Sequence, residues 1–402
     1  MQNLTAPIAS PAKIPAALWA LTISVFAIGT TEVVMVGLLP TMAKDLAVSI
    51  PTTGLLVTVY ALGVAIGGPI ITAFTSHISR KKLLLVIMLL FIAGNLLSAF
   101  APTFFLLAIA RVLSGFAHGV FVGIGANIAS SLVSEDRRAT AIAIMFTGLT
   151  VAMVTGVPLG TFVGQHYGWR FTFAGVALLG VVGFIANLIL LPGHIAIGAP
   201  LHIKDQLKVL QHPSLLLGFS LTVFSFAGVF GTFTYMSPLL EKVTGFSADT
   251  ITILLLLYGA FVAAGNMVGG KIANRNPLKV LMILFILLAV VLFALYLSAP
   301  YKSWTMVALA AMGFFAFSIV PGMQLHIVQL AEKHLPGTED VSSALNIAAF
   351  NTGIAVGSYA GGLVVASAWG VRGVALEGAA FVVIAFLFSL LSKKKERKQA
   401  GA

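Results

Sequence analysis

The sequence has no cysteine among its 402 residues. Disulfides, thiolate nucleophiles, iron–sulfur clusters and cysteine-bound zinc are therefore excluded. Eight histidines are present, but none form an H-x-x-x-H or H-E-x-x-H pair, so we expect no metal site. A Walker A loop and a Rossmann glycine fingerprint are also missing. We therefore expect no cofactor. Any activity that requires energy must be driven by an ion gradient or by a solute's own gradient.

Charge is scarce as well. Only 9% of the residues are charged and 59% are hydrophobic, whereas a soluble domain usually carries about 25% charged residues. The composition indicates a protein that lies in a lipid bilayer. The formal net charge of +11 is better explained by basic cytoplasmic loops than by nucleic acid, so no nucleic-acid partner is expected.

About twelve apolar runs fill the chain. Each is some 18–25 residues long, and a helix needs about 20 residues to cross a bilayer core. Backbone polar groups must be satisfied internally there, so the runs must be helices. The fold class is therefore an all-α integral membrane protein, and the first run is expected to be a spanning helix rather than a signal peptide. We number the predicted spans 1 to 12 and place them at residues 16–39, 52–74, 83–100, 104–130, 139–162, 170–192, 214–237, 249–270, 279–298, 304–330, 341–366 and 374–392.

The basic residues are distributed unevenly between the two sides. If both termini lie on one side, the segments there hold 17 Lys and Arg and the other side holds 5, and Arg111 within span 4 completes the 23. Cytoplasmic loops carry the excess of Lys and Arg. Both termini are therefore predicted to be cytoplasmic.

The two halves of the chain echo each other. Gly156 and Gly160 in span 5 align with Gly357 and Gly361 in span 11 at an offset of 201 residues, although 40 glycines leave room for a chance match. We predict a six-helix bundle at 1–192, a cytoplasmic linker at 193–213, a second six-helix bundle at 214–392 and a basic cytoplasmic tail at 393–402. The linker suits either a short amphipathic helix or a flexible connection.

Several motifs resemble the major facilitator superfamily. The loop after span 2 ends in Arg80-Lys81, similar to the basic end of the family's first inner-loop signature, and Gly270 to Arg275 follows span 8 in the same way. The acid of the signature is replaced by Ser76 and Asn274 in the two loops, which puts its charge-relay role in doubt. Span 4 contains Arg111-Val-Leu-Ser-Gly, similar to the family's R-x-x-x-G motif.

Span 5 carries the sequence Gly156-Val-Pro158-Leu-Gly160-Thr-Phe-Val-Gly164. It resembles the signature of the drug:proton antiporter branch, and a proline beside a flat glycine face suits helices that slide or bend. Gly29-Thr-Thr-Glu32 and Phe116-Ala-His118-Gly119 are similar to bacterial sugar-efflux (arabinose exporter-like) and purine ribonucleoside-efflux proteins. The resemblance implies two six-helix pseudo-repeats around a central cavity in the bacterial inner membrane, working as a monomer.

Two ionisable residues lie inside spans at similar predicted depth. Glu32 and Arg111 are each roughly 12 Å from the outer boundary, and charged residues inside spans are costly and therefore functional by default. Our hypothesis is that Glu32 carries the coupled proton and that Arg111 is its charge partner. A permanent ion pair joining spans 1 and 4, or direct substrate binding by Glu32, are the alternatives. His118 lies near the same face as Arg111 and is either a proton relay or a neutral cavity liner.

The second half is predicted to contribute neutral polar groups. The resemblance places spans 7 and 10 on the cavity, so Tyr235 and Gln324 are the preferred substrate contacts, with Asn351 of span 11 as a further candidate. Amides also bridge helices, which applies equally to Asn351 and to Asn346. We expect ionisable groups in the first half only, with proton coupling there and recognition of a neutral solute shared by both halves.

The sequence thus predicts a proton-coupled exporter of small solutes, namely sugars, nucleosides or amphipathic drugs, that alternates between two open states. A facilitator or proton-coupled importer on the same fold is the alternative, because fold does not fix direction. A transport-dead sensor would need an output domain, and an intramembrane enzyme would need clustered carboxylates or histidines. Enzyme activity is therefore not expected.

Overall fold

The structure is a computed structural model that describes residues 14–74, 78–134, 137–193, 203–274 and 276–400. Within these ranges the chain is helical and contains no strand. Twelve of its helices are long and apolar enough to cross a membrane. The predicted fold class, an all-α membrane protein with twelve spans, is confirmed.

The helix bounds follow the predicted spans closely, with three interruptions. Span 1 is followed after Val34 by a second helix, span 7 is followed after Tyr235 by a short one, and span 5 contains a π-helical turn. In chain order the helices are Ala16–Val33 and Met35–Asp45, Ile50–Phe74, Arg80–Phe100, Phe104–Ser131, Arg138–Val151 with Ala152–Gly156 and Val157–His166, Trp169–Leu190, the linker helix Ile203–Gln211, Pro213–Thr234 and Met236–Lys242, Ala248–Ala273, Pro277–Ser298, Lys302–His334, Glu339–Ala366, and Gly373–Ala400.

Local chemistry sets several of these ends. The Thr103 and Ser247 hydroxyls accept hydrogen bonds from the Leu106 and Thr250 backbone amides, at 3.3 Å in both cases. Such side-chain acceptors satisfy amides that have no partner in the first helical turn. The π-helical turn ends two residues before Pro158, which lacks the amide hydrogen that an unbroken α-helical ladder requires.

The predicted glycine repeat is matched by its contacts. A β-carbon at Gly156 would lie 3.1 Å from Thr30 Cβ in span 1, and one at Gly357 would lie 2.7 Å from Ala227 Cα in span 7. One turn further, Gly160 faces Val34 and Gly361 faces Gly231. Ala227 follows Thr30 in the chain by the same number of residues as Gly231 follows Val34. Spans 5 and 1 therefore pack as spans 11 and 7 do.

The two halves are in close contact on the side of the membrane away from the termini. We call this the opposite side and the other one the terminal side. A β-carbon at Gly259 of span 8 would lie 2.6 Å from the Met153 carbonyl of span 5. Further toward the opposite side, Thr252 Oγ1 donates to Gln165 Oε1 at 3.1 Å. Span 8 packs on span 5 from the π-helical turn of span 5 outward to this end, so the halves are closed against each other on the opposite side.

Candidate functional site

The centre of the first half holds a buried arginine. Arg111 Nη1 donates to the Thr31 carbonyl at 2.9 Å and to Thr31 Oγ1 at 3.2 Å, and its side chain is fully buried. Thr31 Oγ1 in turn donates to Asn95 Oδ1 at 2.6 Å. These bonds join spans 4, 1 and 3 at one depth, beside the interruption of span 1 at Val34.

Tyr60 of span 2 extends this network. The Arg111 Cζ atom lies 4.0 Å from the centre of the Tyr60 ring, and the Tyr60 hydroxyl is 3.0 Å from His118 Nδ1. The ring face attracts the guanidinium by a cation–π interaction. The close approach of the two spans depends on Gly115, where a β-carbon would lie 3.1 Å from the Tyr60 carbonyl carbon. Arg111 and His118 are thus joined through a tyrosine that the sequence analysis did not single out.

Glu32 is the accessible member of the group. Its side chain is only partly buried, whereas residues 27–31 and 33–39 on both sides of it are buried. On a helix face that contacts lipid, every third or fourth residue would be exposed. The accessible surface of Glu32 therefore faces the interior between the halves. The guanidinium of Arg111 hydrogen bonds to Thr31 rather than to this carboxylate, although the two charges act on each other through space.

In the second half, amides connect the spans. The Thr222 hydroxyl donates to Asn346 Oδ1 at 2.7 Å, and Asn346 Nδ2 donates to Gln324 Oε1 at 2.8 Å. Gln324 also donates to the Ser343 hydroxyl. Spans 7, 10 and 11 are therefore bridged, and Gln324 remains partly accessible. Asn351 is buried, and its Oδ1 accepts no hydrogen bond from any described residue.

Tyr235 closes the opposite side in this conformation. Its side chain is fully buried, and its hydroxyl donates to the Ser358 carbonyl at 2.9 Å. The hydroxyl lies 2.7 Å from where a β-carbon of Gly362 would be, and Gly54 of span 2 admits the ring tip from the other half. Contact between Tyr235 and a solute therefore requires the opposite side to open.

The glycines in the sequence motifs differ in how closely they pack against neighbouring spans. In span 5, Gly156, Gly160 and Gly164 each face a side chain of span 1, and Pro158 is buried among them. In span 8 the close contacts belong to Gly265 and Gly269: β-carbons there would lie 2.9 and 2.7 Å from backbone Cα atoms of span 10.

Gly270, by contrast, would make only an ordinary contact at 3.9 Å. Arg275 lies outside the described residues. Lys81 Nζ donates to the Leu188 and Leu191 carbonyls at 2.9 and 2.6 Å, which caps the end of span 6. Arg80 is buried at the start of span 3.

The expectation that the second half carries no ionisable group in its spans is wrong. Glu377 lies near the start of span 12, and neither of its buried carboxyl oxygens has a hydrogen-bond partner among the described residues. The sequence placed this residue inside the predicted span, and an acid within a run of apolar residues was the signal that could have identified it.

Comparisons with known proteins agree with this architecture. A profile of the Major Facilitator Superfamily matches residues 21–339. The chain is 50% identical over 398 residues to the Bacillus subtilis protein named Uncharacterized MFS-type transporter YtbD, covering 98% of this chain and 99% of that one. It is 38% identical to the Inner membrane transport protein YdhP of Escherichia coli O157:H7, covering 96% and 97%. It is 33% identical to the Putative transporter AraJ of Escherichia coli K12, covering 95% and 96%.

Solved structures share the fold at low sequence identity. The crystal structure of the D-xylose-proton symporter superposes with a TM-score of 0.78 at 16% identity, covering 93% of this chain and 96% of that chain. The bacterial homologue of the human lysosomal transporter Spinster, in its inward-facing and unoccupied conformation, gives 0.72 at 18% identity, covering 94% and 96%. With the matched profile and the full-length relatives, these likenesses lead to one conclusion: the chain belongs to the major facilitator superfamily of transporters.

Proposed function

We propose that this protein is a secondary active transporter that exports small solutes in exchange for protons. It works as a monomer in the inner membrane, with both termini in the cytoplasm and without a cofactor. The relatives named as an inner membrane transport protein and a putative transporter support this location and class. Sugars, nucleosides and amphipathic drugs are the candidate solutes.

The observation that carries the proposal is the position of Glu32. It is the accessible carboxylate at the centre of the first half, next to a guanidinium whose charge acts on it without a hydrogen bond. A carboxylate in this position binds or releases a proton according to how much water reaches it and how far away the cation lies. A movement of span 1 relative to span 4 changes both conditions.

Alternating access supplies that movement. The opposite side is closed by spans 5 and 8 and by Tyr235 against Gly54, so in the proposed cycle Glu32 exchanges protons with the terminal side while the opposite side is closed. When the halves rock and the opposite side opens, the same carboxylate exchanges with the other compartment. Solute and proton that compete for one cavity then move in opposite directions.

The test uses purified protein in liposomes with an imposed pH gradient and a pH-sensitive dye inside. Sugars, nucleosides and amphipathic cations are added in turn to the wild-type protein, to Glu32→Gln and to Glu241→Gln, whose carboxylate is exposed on the opposite side. We expect solute-dependent proton movement in the wild type and in Glu241→Gln. In Glu32→Gln it should be lost, while solute exchange persists.

The direction of the proton movement separates antiport from symport. Solute flux without any proton movement in the wild-type protein would make it a facilitator. Wild-type coupling in Glu32→Gln would overturn the role of that carboxylate.

A further inference from the structure

The function proposed above leaves one buried acid unused. Glu377 lies four residues after the start of helix Gly373–Ala400, which is about 6 Å below the end of the helix on the opposite side. Both carboxyl oxygens are buried and find no hydrogen-bond partner in the part of the chain that the structure describes. A carboxylate removed from water costs several kcal/mol unless a cation or hydrogen-bond donors compensate, so this pocket holds the neutral acid.

Charged and titratable groups near the opposite end of the elements that pack against span 12 do not compensate a negative charge. Arg372, in the turn before span 12, donates its Nε to the Tyr296 carbonyl of span 9 at 2.7 Å and stacks on that tyrosine's ring. Tyr359 of span 11 is half exposed. From span 7, Tyr235 is the titratable group within electrostatic range of Glu377. No charged nitrogen of the described residues bonds to the acid.

The acid is packed against the part of span 7 that leads to the closed gate. A β-carbon at Gly231 would lie 2.8 Å from Glu377 Oε1 on one side, and the Gly231 carbonyl is 2.8 Å from where a β-carbon of Gly361 would be on the other. Four residues beyond Gly231, span 7 breaks at Tyr235, which fills the space beside Gly361 and reaches Gly54 of the first half. A continuous series of contacts thus connects Glu377 to Tyr235 through Gly231 and Gly361.

We propose that Glu377 is a second proton-binding group, protonated while the opposite side is closed and ionised when that side opens. Opening withdraws Tyr235 from its place against Gly54, moves the outer part of span 7 and admits water to the carboxyl, which then loses its proton to the opposite compartment. The proposal rests on the alternating-access transporter described above. It adds a proton that exchanges with one side only, and therefore a dependence of gate opening on the pH of that side.

The absence of cysteine permits a direct measurement of gate opening. Lys44 of the first half and Ser303 of the second are exposed at helix ends on the opposite side. Replacing both with cysteine and attaching spin labels reports the distance between the halves by pulsed electron paramagnetic resonance. The ratio of open to closed populations is measured against pH in nanodiscs for the labelled parent, Glu32→Gln, Glu377→Gln, the double variant and the control Glu241→Gln.

One proton released on opening changes that ratio by up to tenfold per pH unit, in favour of the open state at higher pH. We expect Glu32→Gln to keep a pH-dependent opening, and the double variant to lose it. Glu241→Gln should match the parent. An unchanged pH dependence in Glu377→Gln would overturn the proposal, whatever the liposome assay shows for Glu32.

A second measurement does not depend on the folding of a variant. Dicyclohexylcarbodiimide forms a stable adduct with protonated carboxyl groups in apolar surroundings. Mass spectrometry of the treated wild-type protein at pH 7 should find the adduct on Glu377 but not on the exposed Glu241. An unmodified Glu377 in protein that is modified at Glu32 would overturn the proposal.

Discussion

Replacing Gly357 with alanine tests the packing of the second half most directly. A β-carbon at this position would lie 2.7 Å from both the Cα and the carbonyl carbon of Ala227, whereas ordinary contacts begin at 3.4 Å. The obstacle is backbone rather than a side-chain tip, so spans 7 and 11 must separate. Overpacking of this kind costs about 1–3 kcal/mol, and more where the neighbours cannot move. We expect Gly357→Ala to lose about 3 kcal/mol and to melt at a clearly lower temperature in detergent.

The matched control is Gly270→Ala. Gly270 is also a helical glycine of the second half, but a β-carbon there would meet Pro321 at 3.9 Å. Alanine forms helix better than glycine by up to about 1 kcal/mol, so this variant should melt at the wild-type temperature or slightly above it. Fluorescence-detected size-exclusion chromatography after heating measures both variants. Equal melting temperatures for Gly357→Ala and the wild type would refute the packing argument.

Two further predictions concern the ends of the spans. Lys81→Met removes the cation from two carbonyls at the end of span 6 and should lower the stability by about 1 kcal/mol. Thermal unfolding measures it against the control Lys82→Met, since the Lys82 side chain is exposed. Equal stability of the two variants would contradict the prediction. Asp45 lies outside span 1, and the hydrogen bond from Arg170 holds the pKa of its carboxyl below the usual 3.8. The stabilisation by this partly exposed pair, below about 1 kcal/mol, is therefore complete above pH 3.8 and is lost as the pH falls through the lowered pKa. The melting-temperature gap between wild type and Asp45→Asn should close in acid, and a gap that persists there would contradict the assignment.

The spans could be predicted because the bilayer imposes a length and a composition on each of them. The interruption at Val34 could not, because no proline or glycine stands at that position. At Tyr235 the signal was Pro238, three residues further on, which has no amide hydrogen to donate to the Thr234 carbonyl. Both breaks lie where a span of one half meets other spans closely, and such contacts are tertiary. The linker helix Ile203–Gln211 matches the amphipathic alternative, since its charged residues recur with helical spacing.

The candidate site was harder to predict than the fold. Arg111 and Glu32 stood out because charges inside spans are rare. Tyr60 did not, since a tyrosine in an apolar helix is ordinary until its ring is seen under a guanidinium. The sequence predicts Gln324 as a substrate contact, and its bonds to Asn346 and Ser343 show that an amide can bridge helices and remain partly accessible.

The repeat gives the buried arginine of the first half no charged counterpart in the second. Gly115 faces the Tyr60 carbonyl in the first half and Gly313 faces the Tyr258 carbonyl in the second; the same offset takes Arg111 to Leu309, a buried leucine. Among the described residues, the duplicated scaffold therefore keeps a buried arginine in the first half only. In the proposed cycle, Glu32, at the centre, is reached from either side in turn and so can carry a proton across the membrane. Glu377 lies near the opposite end and in that cycle is reached from that side alone, so it cannot carry a proton across. Its protonation can only shift the balance between the closed and open states. The number of protons transported per cycle should therefore be unchanged by Glu377→Gln, while the pH at which the opposite side opens should change.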